Sequence, residues 1–121
     1  MIHAKNKGKG FELEVAKLIR QSGLDKEARR RPLSGAEKMV RGHADIITHL
    51  PFSIECKKQE RMNFWDWWEQ AESQSNMNYP PMVVFSSNFR PAIASLKLTD
   101  FLNILKELDD WKQSYIKKVG K

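Results

Sequence analysis

Asp45-Ile46-Ile47-Thr48-His49-Leu50-Pro51-Phe52-Ser53-Ile54-Glu55-Cys56-Lys57 places two short, β-prone segments on either side of one proline. Residues 45–50 and 52–57 are each long enough for a strand, and Pro51 suits a turn between them, so the stretch predicts a β-hairpin. On a strand alternate side chains share a face, so Glu55 and Lys57 point together while Ile54 and Cys56 point the other way. The short connection would set Asp45 on the neighbouring strand, giving two carboxylates and an ammonium in one place.

Upstream, residues 6–22 carry Phe11, Val15, Leu18 and Ile19 at helical spacing, and Gly23 is placed to end the helix. Glu12 and Glu14 both flank that stripe, and periodicity alone does not separate them. Arg29-Arg30-Arg31-Pro32-Leu33-Ser34-Gly35 is too polar and punctuated for a core element; it reads as a strand that opens into a loop reaching to about Gly42. Downstream, Asn63 is placed to cap a helix through Trp65, Trp67 and Trp68 to about Asn76, before Tyr79-Pro80-Pro81. Met82-Val83-Val84-Phe85 suits a strand buried on both faces, and Ala94–Leu98 suits an edge strand. A last helix from about Asp100, capped by Thr99, carries Phe101, Leu105, Leu108, Trp111 and Tyr115 along one side. The order is that of an α/β sandwich with a mixed sheet.

The chain of 121 residues, 40% hydrophobic and 30% charged, is sized for one domain, residues 1–121. No apolar run approaches a membrane span and the first residues lack an apolar leader stretch, so an intracellular protein is expected, with no membrane partner. One cysteine and three scattered histidines exclude an internal disulfide and give no zinc-type spacing. The net charge of +6 is uneven: residues 1–61 hold 14 Lys/Arg against 8 Asp/Glu, whereas residues 62–121 hold 7 of each. The basic half also contains the candidate acids, which is the footprint expected of a polyanion-binding face, nucleic acid foremost.

Those acids suit hydrolysis of a phosphodiester. Asp45 and Glu55 offer the hard oxygens that magnesium takes, and Lys57 would orient water or stabilise developing negative charge. Glu-x-Lys by itself is weak, since about two Asp/Glu-x-Lys matches arise by chance at this composition. Asp110-Trp111-Lys112 is such a match, but it sits in a helical pattern where i and i+2 do not face each other.

The ordered set of a helical glutamate, an aspartate and Glu-x-Lys on adjoining strands resembles the PD-(D/E)XK nuclease superfamily, and within it the archaeal and phage-type Holliday-junction resolvases. Lys7-Gly8-Lys9-Gly10-Phe11-Glu12 is similar to the basic Lys-Gly-x-x-x-Glu helix start of those enzymes and selects Glu12 over Glu14. Arg30-Arg31-Pro32-Leu33-Ser34-Gly35 is similar to their Arg-x-Pro-x-Ser-Gly loop, and Glu69-Gln70-Ala71 to a motif on their following helix. The proline that usually precedes the family's aspartate is replaced by Ala44. The resemblance implies a restriction-endonuclease-like core of helix, three strands, helix and strand, to which this chain adds a C-terminal helix. It implies Mg2+, with Mn2+ an acceptable substitute, held by Asp45, Glu55 and the Cys56 backbone carbonyl, with Glu12 acting directly or through water. It implies DNA contacts from Arg30 and Ser34, joined here by Arg31 and by Lys7 and Lys9 on the basic start, and a water-orienting role for Gln70. It also implies a homodimer that cuts four-way junctions and leaves a 5′ phosphate. The alternatives are another branched-DNA or nicking nuclease of the same fold, or a noncatalytic DNA-binding protein. No helix-turn-helix or zinc-finger pattern is present, so shape rather than base sequence is the expected determinant.

Overall fold

The computed structural model describes residues 4–32, 44–75 and 79–120, with the side chains of residues 4–7 also left out. Its elements are α1 (Ala4–Ser22), β1 (Arg29–Arg30), β2 (Ile46–Ile47), β3 (Ser53–Lys58), α2 (Phe64–Gln74), β4 (Pro81–Ser86), β5 (Ile93–Ser95) and α3 (Leu98–Val119). The order is the expected helix, three strands, helix, strand, with an edge strand and a C-terminal helix added. This is an α/β fold of the restriction-endonuclease-like kind.

The central sheet is β3-β4-β5, with β3 and β4 parallel and β4 and β5 antiparallel. A parallel pair needs a crossover, and α2 supplies it. Residues then sort by the period of two. Ile54, Cys56 and Val84 pack against Phe11, Val15 and Ala16 of α1, and Val83 packs against Trp67, Trp68 and Ala71 of α2. Ile54 and Val83 are fully buried, and truncating Ile54 to alanine would cost about 2–5 kcal/mol.

Three expectations need correction. The segments around Pro51 do not form a hairpin: β2 pairs antiparallel with β1, Arg29 opposite Ile47 and Arg30 opposite Ile46. It touches β3 through one backbone bond, Asp45 N–H to the Ile54 carbonyl at 2.9 Å. The cause is Asp25, a buried carboxylate beyond α1 that accepts the Thr48 hydroxyl at 2.6 Å and the His49 N–H at 3.1 Å. It draws the segment after Ile47 toward the α1–β1 connection. Second, Leu18 is half exposed, because Ala16 shifts the buried face of α1 round toward Glu12 and Ile19. Third, α3 begins at Leu98 with Lys97 as its cap, which places Thr99 inside the helix, and β5 ends at Ser95. α3 buries none of its side chains. Among the described residues no helix is long and apolar enough to cross a membrane.

Candidate active site

Each acid reaches the site by a different local rule. At about 100° per residue, Glu12 falls between Phe11, Val15, Ala16 and Ile19 and is carried into the protein with them, while Glu14 stays exposed. Asp45 precedes β2, where its carbonyl accepts the Arg31 N–H at 2.7 Å and its N–H reaches β3. Glu55 lies in the middle of β3 on the face toward α2 and is 4% exposed; the Gln70 amide of α2 donates to its Oε1 at 3.1 Å. Lys57, two residues along the same strand, is half-buried.

The Cys56 N–H donates to Asp45 Oδ2 at 2.8 Å, which pins that carboxylate against the edge of β3. Along β3 the backbone groups alternate between edges. Ser53 bonds toward the β4 side, through the Pro80 carbonyl, while Ile54 and Cys56 bond toward Asp45. The Cys56 carbonyl therefore opens on the same edge as the Asp45 carboxylate. The Cys56 side chain lies on the α1 face, buried, and burial followed by the charge of Asp45 pushes its thiol up, so it is not a thiolate nucleophile.

Asp45 and Glu55 act strongly on each other, and the burial of both favours keeping a proton on the pair when no cation is present. Burial, then the charge of Asp45, pushes Glu55 up to about 8, against the opposing pull of Lys57. Burial also raises Asp45, opposed by the Cys56 N–H, the Glu55 carboxyl, Lys57 and Arg30. Glu12 is raised by burial and by Asp45, and the Arg30 guanidinium works the other way. Three carboxyls thus compete for negative charge in one place, with Lys57 acting on all of them.

The Arg30 Nε lies 2.9 Å from Glu12 Oε2, both side chains largely buried, and the Arg31 Nε donates to the Ala44 carbonyl at 2.8 Å. Both guanidiniums thus have partners within the protein. The Glu12 to Arg30 pair was not anticipated; the clue lay in the charge order, an acid on a buried helix face followed by a basic strand. Lys9 is exposed on α1. The Lys7 side chain, Ser34 and His43 lie outside the described residues. Trp67 and Trp68 belong to the core, whereas Trp65 and Trp111 are exposed.

Among the described residues no three His, Cys, Asp or Glu side chains form a metal-holding group. The donors nonetheless suit magnesium, which keeps several waters and needs only one or two carboxylates. Asp45, Glu55 and the Cys56 carbonyl are all hard oxygens. A divalent cation would offset the negative charge of Asp45 and Glu55 and relieve their repulsion.

Residues 3–119 match the family described as phage putative PDDEXK endonuclease. No curated protein and no solved structure matches the chain. With nearly its whole length matched, and with a buried carboxylate cluster beside a strand lysine on an α/β core, the chain belongs to the phage PDDEXK endonuclease family and is a nuclease.

Proposed function

We propose that this nuclease is a magnesium-dependent endodeoxyribonuclease that resolves branched DNA, four-way junctions foremost, and acts as a homodimer inside the cell. The observation that supports the chemistry is the convergence of Asp45, Glu55, Lys57 and the Cys56 carbonyl at one edge of β3, with Glu12 behind them. Asp45, Glu55 and the carbonyl would hold the cation, and manganese would serve in its place. When bound, the ion activates water and neutralises charge on the scissile phosphate.

The chain's own groups have separable tasks. Gln70 fixes the rotamer of Glu55 through Oε1, and the Cys56 N–H does the same for Asp45. Lys57 brings an ammonium to the carboxylates, where it would hold the attacking water or the departing oxygen through a charge-assisted hydrogen bond. Arg30 keeps Glu12 turned toward the site and shields its charge. The basic first half of the chain supports phosphate contacts from Lys7, Lys9, Arg31 and Ser34, which position DNA without reading its sequence. The lack of a base-reading pattern favours a substrate known by its shape.

Cleavage of a four-way junction, a fork, a flap and a linear duplex of matched sequence tests this reading. Paired symmetrical cuts on the junction in magnesium, absent in chelator, are expected. Equal cutting of the linear duplex would refute the junction preference, and activity in chelator would refute the metal requirement.

A further inference from the structure

α3 is a helix of 22 residues, about 33 Å long, with no buried side chain. Its sequence is nevertheless one-sided. Leu98, Phe101, Leu105, Leu108, Tyr115 and Val119 follow alternating spacings of three and four, with Lys112 the only charged position in the series. Such a heptad stripe is the seam of a helix that packs along another helix. Leu98 is 69% exposed and Val119 61%, so the stripe is open from end to end, and Trp111 and Tyr115 stack on each other beside it at 5.6 Å between ring centroids. With Trp111 beside it the stripe leaves roughly 700 Å² of surface, close to the about 800 Å² per partner of an ordinary stable interface.

The charges identify the occupant. Residues 98–110 carry Asp100, Glu107, Asp109 and Asp110 against Lys106, a balance of −3, while residues 111–119 carry Lys112, Lys117 and Lys118 and no acid, a balance of +3. A helix with this polarity complements itself when reversed, because the acidic half of one copy then lies along the basic half of the other. The stripe is centred near Leu108, so an antiparallel pair about a two-fold axis there covers both stripes in full. Parallel pairing would set like charges together and align the helix dipoles.

We infer that the α3 face is the self-association surface of the protein, occupied by α3 of a second copy in antiparallel orientation. The inference gives a location to the homodimer of the proposed function, yet it rests on α3 alone and is independent of whether the chain cuts DNA. Lys112, set opposite the Leu105 region of the second copy, tunes the strength of the pair, since a charged residue in such a seam weakens it.

Sedimentation equilibrium of the full chain tests the surface without reference to activity. The wild type is expected as a dimer at micromolar concentration, Leu105→Glu as a monomer weakened about a hundredfold or more, and Lys112→Leu as a tighter dimer. Because Leu105 lies on the exposed side of α3, circular dichroism of the rest of the fold should be unchanged in Leu105→Glu. A monomeric wild type, or a dimer indifferent to both substitutions, overturns the surface. Orientation is read by disulfide trapping: Leu98→Cys chains mixed with Val119→Cys chains should cross-link to each other, and efficient cross-linking of Leu98→Cys chains among themselves overturns the antiparallel arrangement.

Discussion

Replacing Glu55 by glutamine in the metal-free protein should make it more stable at alkaline pH. The Glu55 carboxyl moves from an ordinary value of 4.5 to about 8 on folding, chiefly because burial opposes its charge. Below about pH 4.5 it is protonated in both the folded and unfolded states and adds no pH dependence. Between 4.5 and 8 the unfolded chain releases a proton that the folded protein retains, so stability falls as pH rises, and the fall ends above about 8. At about 1.4 kcal/mol for each tenfold change, the ceiling is about 5 kcal/mol. Asp45 titrates together with Glu55, so about 2–3 kcal/mol is the expected part that Glu55→Gln removes. Urea unfolding in chelator at pH 5, 6.5 and 8.5 reads this directly: the variant should overtake the wild type as pH rises. Magnesium should then stabilise the wild type more at pH 8.5 than at pH 5, because cation and proton compete, and should do little for the variant. Parallel pH profiles in chelator, or equal stabilisation of both chains by magnesium, would refute the reasoning.

Arg30→Ala should cost about 2 kcal/mol by leaving Glu12 buried without its cation, and adding Glu12→Gln should restore most of that; additive losses in a double-mutant cycle would contradict the pairing. Asp25 is held below the usual carboxylate range, first by the Thr48 hydroxyl and then by the N–H groups of Glu27 and His49, although burial pulls the other way. Its contribution is therefore present above about pH 4 and lost as pH falls through its lowered folded value, so Asp25→Ala should be less stable at pH 7 and show a shallower acid transition by circular dichroism; an acid limb identical to wild type counts against it. Phe89 is fully exposed with φ of 62°, a conformation that disfavours any side chain. Phe89→Gly should raise the melting temperature through about 1 kcal/mol of relieved strain, and a lowered one would mean that the ring makes a contact worth more than the strain.

The parts of the fold that follow the period of two or of 3.6 were legible in the residues. Ile54 and Cys56 face α1, Glu55 faces α2, and Val83 and Val84 fill opposite cores, as alternation requires. The choice between Glu12 and Glu14 was also present in the chain, but only if Ala16 is counted as apolar; a stripe drawn through large residues alone is centred too near Leu18. The hairpin failed because pairing is a competition. Nothing local to Pro51 reveals that Asp25, more than 20 residues earlier, holds Thr48 and His49, or that β1 takes the edge of β2. A basic run says only that charge is present, so the pairing of Arg30 with Glu12, 18 residues away on a helix face, was not legible locally. The apolar side of α3 was visible as a pattern, while the exposure of that side belongs to the tertiary structure.

The central claim is that Asp45 and Glu55, beside Lys57, form the cleavage site. It is tested most directly by cutting of an end-labelled four-way junction in magnesium by the wild type, Asp45→Asn and Glu55→Gln, with binding of the same junction measured in calcium. Cleavage should fall by a hundredfold or more, roughly the loss of about 3 kcal/mol of transition-state stabilisation, while binding is retained. Undiminished cleavage by either variant would contradict the account.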